Sequence, residues 1–196
     1  YLIARVKLEN GYELERFEYW YDYIVKERSK KIVELETEFN TLYQGEGKKK
    51  WNYNTDIGIA VEKLRQVIES ISEVIYKELF KVALAAILLD VSNLYRNGKC
   101  LSYKKKWEDR KIVEKDVFDK FDEKVLKELK CDIENSITRT KINNKERLYN
   151  QDSRIGIANE VDDNSIDLVI TSPPYLNSRD YTDTYMLELK TLGFTK

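Results

Sequence analysis

Histidine is absent from the 196 residues of this sequence. That removes histidine general bases, Ser-His triads and the usual zinc ligand sets, and no metal site is expected. The only two cysteines, Cys100 and Cys131, give neither a disulfide framework nor a metal-ligand spacing, so a reducing cytoplasm is the expected compartment. No apolar run reaches membrane-spanning length, and no signal peptide is visible. Glycine is scarce: there is no glycine-rich loop, and Gln44–Lys50 lacks the G-x-x-x-x-G-K-[ST] pattern of a triphosphate loop. There is no initiator methionine, and the opening residues start in mid-pattern, which reads as a fragment. Net charge is −1 with 35% of residues charged, so any contact with nucleic acid must come from a local patch.

Proline is nearly absent too, and the only two, Pro173 and Pro174, stand side by side. In front of them Ile166, Leu168, Val169 and Ile170 form a short apolar run, bounded by Asp162-Asp163-Asn164-Ser165. The run predicts a strand buried on both faces, as in a parallel sheet. It ends at Thr171 and Ser172, because the first proline keeps Ser172 out of the helical region and neither proline donates to a ladder. In open α/β sheets ligands bind at that edge. The Ser172 hydroxyl and the Pro173 carbonyl offer two acceptors on a stiff loop. Two acceptors gripping an aromatic NH2 group favour a pyramidal nitrogen and free its lone pair for attack. Tyr175 can stack on the ring, and a base so placed has left its duplex.

Thr171-Ser172-Pro173-Pro174-Tyr175 resembles the (D/N/S)PP(Y/F/W) catalytic motif of the amino-methylating DNA methyltransferases. The continuation Leu176–Asp183 is similar to bacterial modification methylases. The resemblance implies methyl transfer from S-adenosylmethionine to cytosine N4 or adenine N6 in DNA, with a restriction endonuclease as a partner. Ser172, Pro173, Pro174 and Tyr175 are then the catalytic set. Serine in the first motif position is closer to the cytosine-N4 enzymes. Asp152, at the end of an expected strand, takes the position of the family's acidic contact to the cofactor adenine, and Thr171 is the second cofactor-side candidate. Asp152 can also simply cap the helix that follows it. The family's glycine loop is expected upstream of residue 1.

The implied fold is α/β: a partial Rossmann-like methyltransferase sheet carrying a large, predominantly α-helical insertion. Residues 1–10 read as a core helix, 11–145 as the insertion, and 146–196 as the core with the TSPPY loop. Within the insertion, Tyr12, Phe17, Trp20, Tyr21, Ile24, Val25, Ile32, Leu35 and Phe39 predict one helix of about seven turns. Gln44–Lys50 is a breaker with a basic run, a solvated loop or a phosphate contact, followed by Trp51 and Tyr53. Asn54-Thr55-Asp56 can cap a helix whose stripe runs from Ile57 to Ile75. The apolar stretch Leu79–Val91 predicts a central buried helix. Val113–Thr140 predicts another, with Val117, Phe121, Val125 and Ile133 on its inner face.

Between these helices lies the strongest basic cluster: Arg96, Lys99, Lys104, Lys105, Lys106, Arg110 and Lys111, interleaved with Tyr95, Tyr103 and Trp107. Arg96, Lys99, Lys104, Lys105, Lys106 and, beyond the motif, Arg179 are the DNA-contact candidates. An ordinary exposed loop is the other reading. Arg147–Asn150 predicts a short strand, Ile155–Glu160 a short helix, and Asp180 or Thr182 the start of a helix ended by Gly193. Two alternatives stay open for the whole: an amino-methyltransferase acting on RNA or protein, and a non-enzymatic helical DNA-binding or interaction module.

Overall fold

The computed structural model describes residues 1–35, 41–98, 100–137, 148–171 and 181–194. Helix α4 (Val74–Val91) is the axis of the fold. Its inward positions, among them Leu79, Phe80, Leu84 and Leu88, are fully or nearly fully buried. Around it pack α1 (Leu2–Leu8), α3 (Thr55–Glu69), α5 (Glu114–Glu123) and α9 (Met186–Thr191). Helix α2 (Leu14–Arg28) lies on α3 and reaches α4 through Phe17, whose ring stacks on Phe80 at 5.5 Å. The Tyr76 hydroxyl accepts from the Glu13 N–H and donates to its carbonyl, closing the amino end of α2 against α4.

Helix α2 is shorter than its apolar spacing predicts. Its inner face runs Phe17, Trp20, Ile24 and then Arg28, which ends the apolar stripe. The Arg28 guanidinium grips Asp122 of α5 with two bonds, 2.6 and 2.8 Å, and lies over the Phe118 ring. Ser29 then turns its hydroxyl onto the Lys26 carbonyl, and Ile32 stands 92% exposed. Phe39 falls outside the described residues.

The stripe from Ile57 to Ile75 belongs to two helices, not one. Helix α3 stops at Glu69 because Ser70 bonds back to the Val67 carbonyl, and Ser70–Glu73 turn the chain into α4. The expected helix from Val113 holds to Ile137: α5, a π-helical stretch Lys124–Leu129, and α6 (Lys130–Ile137). It starts where the Asp116 carboxylate accepts from the Val113 N–H.

The sheet among the described residues is a single antiparallel hairpin, β1 (Leu94–Arg96) with β2 (Leu101–Tyr103), in the register Leu94 to Tyr103. This is a helical structure with a small sheet, and the Rossmann-like sheet is not seen in it. Residues 148–150 are not a strand. Ile166–Ile170 is not one either: Ile166, Leu168, Val169 and Ile170 are 58–88% exposed. A parallel-sheet strand needs a ladder partner, and the described residues supply none beside it. The short helix after Asp152 does form, as α7 (Ser153–Glu160). The helix ended by Gly193 forms as α8 (Tyr181–Thr184) and α9. Among the described residues no helix is long and apolar enough to cross a membrane.

Because Leu84 faces the centre of this packing, Leu84→Ala should lower the unfolding free energy by about 3 kcal/mol. Val74→Ala, at an exposed site on the same helix, should cost less than about 0.5 kcal/mol. Chemical denaturation measures both.

Candidate functional site

The TSPPY motif beyond Thr171, with Ser172, Pro173, Pro174, Tyr175 and Arg179, lies outside the described residues, as does Lys99. Its flanks are visible. Thr171 is exposed at the end of the apolar run. On the far side, α9 is held to the helical body by its apolar face, with Leu187 and Leu192 buried in the core. Two polar ties reinforce that. The buried Tyr53 hydroxyl meets the Thr191 hydroxyl at 3.1 Å. Arg96 pairs with Glu188, donates from Nε to the Thr184 carbonyl at 3.3 Å, and lies 4.8 Å from the centre of the Tyr185 ring. The Arg96 side chain is thus engaged in joining the hairpin to α8 and α9.

Lys104 is engaged as well. Its ammonium donates to the carbonyls of Leu89, Asp90 and Ser92 at 2.9, 3.0 and 2.8 Å, closing the carboxyl end of α4. Arg110 adds bonds to the Ser92 and Asp90 carbonyls. Burial, with the Arg110 charge beside it, lowers the Lys104 pKa to about 8. A side chain with three carbonyl acceptors is a helix cap, so the basic cluster loses Lys104 and Arg110 as ready phosphate ligands. Lys105, Lys106 and Lys111 remain exposed.

Beneath the hairpin sits a polar and aromatic knot that the sequence pattern did not announce. Asn54 occupies the N-cap position of α3, but its side chain makes no cap bond. Its carbonyl oxygen accepts instead from Trp51 Nε1 (2.8 Å) and Asn93 Nδ2 (2.9 Å). Gln44 accepts from the Thr55 N–H in its stead. Asn93 is buried and ties the strand to the loop: its N–H donates to the Asn52 carbonyl, and its carbonyl accepts from the Lys104 N–H, both at 2.8 Å. Trp51 sets an edge on Trp107 at 4.9 Å, and Tyr103 packs on Trp107 at 5.0 Å. The long-range contacts among these, Asn54 to Asn93, Asn52 to Asn93 and Trp51 to Trp107, join residues far apart in the sequence. The only sequence sign of them was aromatics interleaved with lysine.

Asp152 does what a helix N-cap does. Its carboxylate accepts from the Arg154 N–H at 2.9 Å and pairs with the Arg154 guanidinium, which holds its pKa below the usual carboxylate value. A cavity of about 820 Å³ lies between α1, α4 and α9 and takes in Leu2, Val82, Ala85, Leu89 and Leu189. Neither Asp152 nor Thr171 lines it, and its two carboxylates are engaged, Glu78 by Arg5 and Glu188 by Arg96. Asp152 and Thr171 are thus not brought together at this cavity.

Comparison with known proteins supplies the class: this chain is a relative of type II methyltransferases. It is 33% identical to the type II methyltransferase M.BsoBI of Geobacillus stearothermophilus over 136 residues, 60% of this chain and 27% of that protein. It is 31% identical to the type II methyltransferase M.AvaI of Nostoc sp. over 160 residues, 72% of this chain and 31% of that protein. The chain thus spans less than a third of the length of these relatives. No family model matches it, and no solved structure does. A match over 72% of the chain must include much of the helical block, because the residues outside 11–145 are too few to supply it.

The two kinds of lysine in the cluster should separate experimentally. Lys104→Met removes three of the hydrogen bonds that these carbonyls accept and should cost about 2 kcal/mol in denaturant unfolding. Lys105→Met should cost less than about 0.5 kcal/mol. The folded-state pKa of Lys104 lies below its unfolded value, so as pH rises from about 8 the folded state has already released the proton that the unfolded state keeps. Wild-type stability gains over that window and the Met variant does not. The Lys104→Met deficit should therefore be larger at pH 9.5 than at pH 7.

Proposed function

We propose that the protein to which these residues belong is a DNA methyltransferase of a restriction-modification system. It transfers a methyl group from S-adenosylmethionine to the exocyclic amino group of cytosine (N4) or adenine (N6). The observation that carries this reading is the TSPPY motif at Thr171–Tyr175 in a chain that is similar to type II methyltransferases over most of its length. DNA is the substrate, and the endonuclease of the same system is the functional partner.

In this reading Ser172 and the Pro173 carbonyl accept hydrogen bonds from the amino group of a flipped base. Pro174 keeps the loop stiff and Tyr175 stacks on the base. The two acceptors are preorganised, so they favour the nitrogen geometry of the transition state over the flat ground state. S-adenosylmethionine, when bound, supplies the methyl group to the attacking nitrogen, and the nitrogen's proton leaves to solvent. No enzyme nucleophile is needed, so Cys100 and Cys131 have no covalent part. Asp152 and Thr171 are assigned to the cofactor side. Asp152 must exchange its Arg154 pairing for that role. Exposed Lys105 and Lys106, with Lys99 and Arg179, serve the DNA backbone.

Transfer of a labelled methyl group by the full-length protein tests the reading, with duplex DNA, RNA and protein offered as acceptors. Transfer to DNA is expected. Ser172→Ala should lower kcat by about 10²-fold, the usual loss for a preorganised oxygen or N–H partner of the transition state. Tyr175→Ala should weaken the target duplex by about 1–3 kcal/mol through lost stacking. DNA binding without transfer to any acceptor would instead favour a helical binding module.

A further inference from the structure

We propose that the two basic runs of the chain, Lys49-Lys50 and Lys105-Lys106 with Lys111, form one surface that holds backbone phosphates of duplex DNA. It rests on the function proposed above and adds to it a second, distant segment and a reason for its rigidity.

The runs are more than fifty positions apart in sequence. Folding joins them by contacts of three kinds. The Trp51 ring, next to Lys50, meets Trp107, next to Lys106, at 4.9 Å. Lys50 Nζ lies 5.3 Å from the centre of the Tyr103 ring on β2. Beneath both, the Asn52 carbonyl accepts from the Asn93 N–H, and the Asn93 carbonyl accepts from the Lys104 N–H. The loop that carries Lys49 and Lys50 is closed at its base, where Tyr53 donates to Leu42 and Gln44 to Tyr53 at 2.9 and 3.0 Å. Lysines mounted on a closed loop and a capped hairpin lose less backbone freedom on binding than lysines on a free tail.

Charge pairing separates this surface from four lysines of the helical arm, which have acidic partners: Lys115 with Asp119, Lys124 with Glu128, Lys127 with Glu123 and Lys130 with Glu18. Those pairs neutralise the arm. Lys49, Lys50, Lys105, Lys106 and Lys111 are exposed and make no ion pair with a described residue. Glu46, Glu108 and Asp109 lie in the same segments and reduce the net charge without cancelling it. Both segments are tied to α9, the loop through Tyr53 and Thr191 and the hairpin through Arg96 and Glu188. Phosphates held here are therefore registered against the helix that follows the motif.

The test uses the full-length protein and a duplex carrying its methylation site, with binding read by fluorescence anisotropy across a salt series. Replacing Lys49, Lys50, Lys105 and Lys106 by Gln should reduce the slope of log K against log salt by about 3.6, at ~0.9 per phosphate contact. Lys49→Gln/Lys50→Gln and Lys105→Gln/Lys106→Gln, made separately, should each reduce it by about 1.8. A control with Lys115, Lys124, Lys127 and Lys130 changed to Gln matches the net charge and should leave the slope unchanged. Thermal melting confirms that each variant is folded. A slope that the four substitutions shift no more than the control overturns the proposal. So does a loss confined to one pair, or tighter binding of a matched RNA duplex than of DNA. Failure of the function itself looks different: the wild type would then transfer no methyl group to DNA, whatever its salt slope.

Discussion

The last turn of α4 leaves carbonyls without helical partners, and everything around the basic hairpin depends on how they are satisfied. α4 keeps one buried face along its length, and at its end Val91 and Ser92 are buried while Asp90 is exposed. Unpaired carbonyls there would cost a desolvation penalty each. Two cations answer, Lys104 and Arg110, brought back by the hairpin and the turn through Trp107. That requirement places β1 and β2 and directs Lys105 and Lys106 outward. It also explains why a run of three lysines divides its labour: one faces the helix and two face solvent.

The helical part of the fold was legible because amphipathic spacing is a local signal. The buried stripe of α4 and the inner face of the helix from Glu114 could be read directly. Errors came where one residue's partner is distant. Arg28 ends α2 because Asp122, far along the chain, takes its guanidinium. Asn54 looked like a cap for α3 and sits at the cap position, yet its side chain serves Trp51 and Asn93. Arg96 and Lys104 read as phosphate ligands because composition counts charges and cannot see what they face. The joining of Trp51 to Trp107 had no signature beyond aromatics among lysines.

Around the motif the position is different. Ile166, Leu168, Val169 and Ile170 form an apolar run that local pattern assigns to a buried strand, and the described structure leaves it exposed. Local preference and tertiary surroundings conflict here, and such conflicts mark places where a sequence is written for contacts not on display. The contacts this run asks for are ladder partners on either side, because β-branched residues gain little from a solvated extended chain. In the proposed methyltransferase those partners are other strands of the catalytic sheet.

The same reasoning bears on α9. Its buried leucines and its two polar ties bind it to α4, the loop and the hairpin. One end of the motif segment is thus anchored in the helical body, while the run before it lacks a ladder. A loop that must grip an amino group within a few tenths of an ångström needs both ends held. In the proposed methyltransferase the helical block supplies one of those anchors, a structural part that adds to the proposed contact with DNA. It also accounts for sequence similarity that extends through the helical block and is not confined to the neighbourhood of TSPPY.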